Sequence, residues 1–287
     1  MSVYVNEAFI QQYSQSVVAL AQQKGSRLRD AVRVENHRGK AAYYDRIGKT
    51  SAVKRTTRHG DTPRIDVPHS RRRVTLVDYD WADLIDNVDK VRMAGDPTSH
   101  YVTAASYAMG RAMDDEIIAA AFDSAYAGES GQTPVAFPGE QVVPVSASGL
   151  TLDKLLYAKE LLDTAEVDPD EPRFIAVSAR QMSNLLNTTE IKSADYNTVK
   201  ALSQGQLDTF LGFKFLRTQR LLANGSGHRR VIAWAQSGIL LSVGMEPTAK
   251  ITERPDKNYS TQIYFSMSIG ATRMEEERVV EIPCVES

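Results

Sequence analysis

The sequence predicts an α+β fold gathered around one long helix, and three observations point to it. Residues 96–126 place apolar side chains at three- and four-residue steps over an unusual length. Residues 24–73 are strongly basic and short of aliphatics, and residues 151–283 alternate helical with extended patterns.

From the N-terminus, residues 6–24 carry Phe9, Ile10, Tyr13, Val17 and Ala21 at helical spacing before a stop at Gly25. This amphipathic helix needs cover for its apolar face, either from its own domain or from another subunit. Residues 26–73 follow, with extended pieces at 41–47 and 74–78 flanking a Gly/Pro/Thr-rich tip. That is the outline of a long β-hairpin, and a hairpin that buries little is marginal unless a further strand or a partner supports it. Next, Trp81, Leu84, Ile85, Val88 and Val91 line one side of an expected short helix and Asp80, Asp83, Asp86 and Asp89 the other. Its acidic side is either simply solvated or complementary to the basic arm of another copy.

The long helix is expected to begin with Asp96 as N-cap and Pro97 at its first position. Tyr101, Ala105, Ala108, Ala112, Met113, Ile117, Ala121 and Phe122 set its period, and at 1.5 Å per residue it runs roughly 45 Å before Gly128, Gly131 and Pro134. Residues 151–166 form a helix with Leu152, Leu155, Leu156 and Leu162 inward. A buried strand at 174–179, a short helix at 180–187 and extended pieces at 211–218, 231–235 and 239–243 make one sheet-containing lobe. Residues 262–271 alternate Ile263, Phe265, Met267 and Ile269 with smaller or polar residues. With 278–283 they are expected to return beside the long helix.

The 287 residues are 42% apolar and 24% charged, and the formal net charge is -2, which excludes a globally basic nucleic-acid binder. That total conceals a polarised chain: residues 24–73 carry about +10 and the remainder about −12. Cys284 is the single cysteine, so neither an intrachain disulfide nor a Cys-based zinc site can form, and a reducing compartment is the natural setting. No signal-peptide pattern opens the chain and no apolar run reaches membrane-spanning length, so no membrane partner is expected.

Catalytic motifs find no foothold. Gly48-Lys49-Thr50 resembles the end of a phosphate-binding loop, but Tyr43 stands where its first glycine belongs. Ser51 and Lys54 fit Ser-x-x-Lys without the two companion motifs. The five histidines never take a His-Glu-x-x-His spacing, and no nucleophile elbow or dinucleotide turn occurs. No enzyme, cofactor or metal is expected. The basic arm lacks the recurring aromatics of a nucleic-acid module, so binding to subunits is its stronger use.

The order of elements resembles that of tailed-bacteriophage major capsid proteins, the Hong Kong 97 type fold. The resemblance spans nearly the whole chain and is carried by that order and by phrases such as DKVRMAGDPTSHYVTAASYAMGRAMDDEIIAAAF, LGFKFLRTQRL and RVVEIPC. It implies an N-arm at 1–33, an extended E-loop at 34–78 and a P-domain at 79–148 with its spine helix at 97–126. It further implies an A-domain at 149–247, then return strands and the C-terminus at 248–287. The implied function is self-assembly into pentamers and hexamers of an icosahedral shell, with double-stranded DNA held on the inner face without sequence specificity. A portal and a separate scaffolding protein, or prior processing, are the implied partners, since no long helical extension precedes the arm. The virion, assembled in the host cytoplasm, is the implied location. Lys40, Lys49 and Lys54 lie where some relatives cross-link, but no motif marks a partner asparagine. An encapsulin-like nanocompartment and a nucleic-acid binder using residues 24–73 are the alternative readings.

Charge pattern gives the candidate contacts between copies: Arg46, Lys54, Arg55, Arg58, Arg71, Arg72 and Arg73 on the arm, facing Asp80, Asp83 and Asp86 of a neighbour.

Overall fold

The computed structural model describes residues 22–58, 60–86, 98–187 and 209–286. In chain order the elements are β1 (Arg33–Asn36), β2 (Ala41–Ile47), β3 (His69–Thr75), β4 (Val77–Ile85), α1 (Thr98–Phe122), β5 (Ala125–Ala127), β6 (Thr133–Val135) and α2 (Leu152–Thr164). Then come β7 (Arg173–Val177), α3 (Ala179–Asn187), β8 (Thr209–Phe210), β9 (Phe213–Arg217), β10 (Arg229–Ala235), β11 (Ile239–Arg254), β12 (Ser260–Arg273) and β13 (Val279–Cys284). The chain divides into two units, one of residues 1–26, 78–112 and 245–268, the other of 27–77, 113–244 and 269–287.

The larger unit is built on a five-stranded sheet of order β13-β10-β7-β9-β8, with β7 and β9 parallel and the other pairs antiparallel. β7 is buried along its whole length, so its unbroken apolar run Phe174–Val177 is that of a strand covered on both faces. Helix α2 opens on Thr151, whose side chain accepts from Lys154 N–H at 3.4 Å, and packs against β13. Leu155, Ala158 and Leu162 form its buried stripe, whereas Leu156 stands one position off it and is exposed, against the expectation. Lys154 is buried instead, its Nζ donating to the carbonyls of Ser148 and Pro283 at 2.9 Å each.

One sheet expectation is corrected. Residues 239–243 do not join the lobe's sheet: β10 already has β7 and β13 on its two edges, so β11 pairs in parallel with β1, Leu241 opposite Val34. The terminal strand β13 takes the other edge of β10, with Ile282 opposite Val231.

The basic segment does form a hairpin. β2 and β3 pair antiparallel from Ala41↔Thr75 to Ile47↔His69, so the return strand starts five residues earlier than expected. Support comes from its own chain: β3 pairs with β5 and β5 with β6. Tyr44 packs on the buried cluster of Val74, Leu240 and Met274 at the root. That pairing also explains why α1 stops at Phe122 and not at Tyr126. Tyr126 lies opposite Arg73 in the sheet, with the Arg73 guanidinium 5.0 Å from its ring centroid. The helix end is then closed by buried Arg273, whose Nη1 donates to the carbonyls of Ala121 and Asp123 at 2.9 and 3.0 Å.

In the smaller unit, the residues expected as an acidic helix from Asp80 form strand β4, since Tyr79 and Trp81 turn inward at a two-residue period. Trp81 meets Phe265 of β12 edge to face at 6.4 Å, and the Tyr264 hydroxyl donates to Asp80 at 2.6 Å. A side chain at Gly110 of α1 would stand 2.4 Å from backbone atoms of Gly25 and Ser26, so the incoming chain lies directly on the helix there. Arg111 adds bonds to Gln22 Oε1 and the Gln23 carbonyl at 2.9 and 3.2 Å. Residues 22–24 are not helical. The expected helix over 6–21, the Asp96–Pro97 start, and Val88, Asp89 and Val91 lie outside the described residues.

Candidate assembly surface

The arm has a rooted base and an exposed tip. Residues 48–68 lie between β2 and β3 without regular structure, and those described there are exposed. The hairpin closes where Gly48 N–H donates to Pro68 O at 2.8 Å. Lys49, Lys54, Arg55, Arg58 and Arg64 outnumber Asp61 and Asp66 along it, and Val53, Ile65 and Val67 are exposed among them. A cationic segment with exposed apolar side chains and no core of its own is suited to a protein surface outside itself.

The candidate cations separate into these two zones. At the root, Arg72 is buried, with its Nε 3.3 Å from the Met274 carbonyl and its Nη2 bonded to the Glu276 carboxylate. Burial pulls the Arg72 guanidinium pKa down, and Glu276 opposes that shift. Arg46 reaches the same two groups: its Nη1 donates to Met274 O and lies 3.8 Å from Glu276. Arg71 holds Asp45 of the facing strand with bonds of 2.6 and 3.3 Å, which keeps that carboxyl below its ordinary range. Arg73 lies over Tyr126. Out on the tip, Lys54, Arg55 and Arg58 are exposed, and Arg55 donates to the carbonyls of Thr57 and Arg58.

The candidate acids are exposed too: Asp80 accepts from Tyr264, Asp83 accepts from Leu84 N–H at 2.8 Å, and Asp86 follows the end of β4. Sequence reasoning missed Glu276, Arg273 and Lys49 as structural contacts, because their partners lie on distant elements. The one local signal was the charge cluster Glu275, Glu276, Glu277, Arg278 ahead of β13. Among the described residues no group of three or more His, Cys, Asp or Glu is placed to hold a metal, and no helix is long and apolar enough to cross a membrane.

The chain is thus a two-unit α+β protein whose cationic hairpin is rooted at its base and exposed at its tip. Residues 5–286 match the family described as "Phage capsid protein", and the chain belongs to that family. Solved structures agree. The capsid of cyanophage P-SCSP1u is similar at TM-score 0.74 with 17% identity, covering 100% of this chain and 96% of that one. The head of Helicobacter pylori bacteriophage KHP40 gives TM-score 0.75 at 9% identity, covering 99% and 98%. The capsid of Ralstonia phage GP4 gives 0.74 at 9% identity, covering 98% and 96%. No curated protein matches the sequence. The fold is the Hong Kong 97 type, and the chain is a structural major capsid protein of the virion, which associates with itself into a shell and is not an enzyme.

Proposed function

We propose that copies of this chain form pentamers and hexamers that close into an icosahedral shell around double-stranded DNA, and that the arm tip makes the binding contact between neighbours. The exposed cationic tip at residues 48–68, carried on a hairpin rooted in its own subunit, is the observation that supports this reading most strongly. The tip's partner is an acidic surface of the next copy, for which Asp80, Asp83 and Asp86 are the candidates. Exposed pairs are each worth only about 0–1 kcal/mol, so the contact gains its weight by repetition over the shell.

In this reading residues 1–33 serve as the N-arm and 34–78 as the E-loop. Residues 79–148 and 248–287 make the P-domain around its spine helix, and 149–247 the A-domain. Assembly takes place in the host cytoplasm with a separate scaffolding protein and a portal. DNA touches the inner face without sequence readout. The family match favours this reading over a cellular nanocompartment or a basic-arm nucleic-acid binder.

The test has to spare the root. Reversing Arg72 would bury a carboxylate beside that of Glu276 and is expected to unfold the subunit, so it says nothing about assembly. Replacing Lys54, Arg55 and Arg58 together with Glu leaves the root intact. A folded triple variant that forms no shells is the expected result; normal shells from it would overturn the tip's role.

A further inference from the structure

Lys49 stands two residues beyond the end of β2, on an arm segment that is otherwise exposed. Its Nζ donates to the Ala165 carbonyl at 2.9 Å and lies 3.4 Å from the Glu166 carboxylate and 3.6 Å from that of Glu277. One hydrogen bond and two ion pairs converge on the ammonium group. The partners come from two separate places. Ala165 is the C-cap of α2, where unpaired carbonyls concentrate negative potential, and Glu166 follows it in a left-handed turn at φ 59. Glu277 sits in the short turn Glu276–Arg278 that leads into β13, next to the carboxylate that holds Arg46 and Arg72.

The arm is therefore attached to its own body at two points of opposite character. At the root Arg72 is 1% exposed and Glu276 22%, so salt screens that pair less than it screens a fully exposed one. At the second point the side chains of Lys49, Glu166 and Glu277 are 63%, 77% and 59% exposed. Salt weakens such a contact, and a neighbour's groups can replace it.

We propose that Lys49 is a positioning residue for assembly: it is a releasable catch that fixes the direction in which the arm leaves the subunit. The root keeps the arm attached, and the catch aims it. This inference rests on the arm's role in assembly proposed above, so the measurement separates the two.

Spin labels at Ser51→Cys and Glu160→Cys, in the full chain before assembly, report the distance between arm and body by pulsed electron resonance. A narrow distribution is expected at about 50 mM salt and a broad one at about 500 mM. Lys49→Ala is expected to lower the caught population about fivefold and to broaden the distribution at both salt levels, with an unchanged thermal midpoint. Lys49→Arg, which keeps a donor, restores the narrow distribution. Shells from Lys49→Ala form more slowly. Coincident distributions for the parent and Lys49→Ala would overturn the catch. A broadened distribution with shells formed at the parent's rate would leave a catch without a role in assembly, and so overturn the positioning role.

Discussion

Glu286 accepts hydrogen bonds from Ser178 Oγ and Gln181 Nε2 at 2.9 and 2.6 Å on one oxygen, and from Arg229 Nε and Nη2 at 3.0 and 2.9 Å on the other. Burial pushes its carboxyl pKa up, but these donors outweigh that and hold it below the ordinary value. A carboxylate depressed in the folded state stabilises the protein above its unfolded pKa of about 4.3, and the contribution is lost as pH falls through the folded value. Glu286→Gln is thus expected to cost about 1–2 kcal/mol at neutral pH, with the difference from the parent shrinking below about pH 4 in urea unfolding curves. Two residues earlier, burial pushes the Cys284 thiol up to about 12 despite nearby Lys154. Iodoacetamide should leave Cys284 unmodified in the native protein at neutral pH and label it once the chain is unfolded; rapid native labelling would contradict its buried position. None of this was legible in the sequence. Lys154, Arg72, Arg273 and Glu281 are charged residues that composition assigns to the surface, and they are buried because partners far along the chain meet them.

Among the elements, the helix α1 and the strand β12 were legible because each is long and largely holds one period, and β7 because its apolar run is unbroken. β4 was not. Trp81, Leu84 and Ile85 happen to fit a helical step, while the two-residue alternation of Tyr79 and Trp81 covers too few residues to stand out. The end of α1 was misplaced by four residues for a different reason: helix propensity runs on, and sheet pairing of residues 125–127 overrides it. On α1 itself, Gly110 is more than a helix-weakening residue, because the chain at Gly25 and Ser26 fills the space a side chain would need. Gly110→Ala improves helix propensity by about 1 kcal/mol yet is expected to dislodge residues 22–26. Limited proteolysis would show faster cleavage around Lys24 in the variant, and unchanged cleavage would contradict the close approach.

For the whole molecule, charge polarity was the most informative feature of the sequence. A surplus of cations confined to residues 24–73 located the arm and its tip before any contact was known. What polarity left unsettled was which cations stay within the subunit. Arg46, Arg71 and Arg72 pair with carboxylates of their own chain, whereas Lys54, Arg55 and Arg58 lie on the exposed tip, where Arg55 bonds to nearby backbone carbonyls. The central claim is that this chain builds a closed shell through that tip. Electron microscopy of the full-length protein under assembly conditions, beside the variant with Lys54, Arg55 and Arg58 replaced by Glu, tests it most directly. The account predicts closed icosahedral particles from the parent and dispersed, folded subunits from the variant. A parent that never forms closed particles, or a variant whose shells match the parent's, would contradict it.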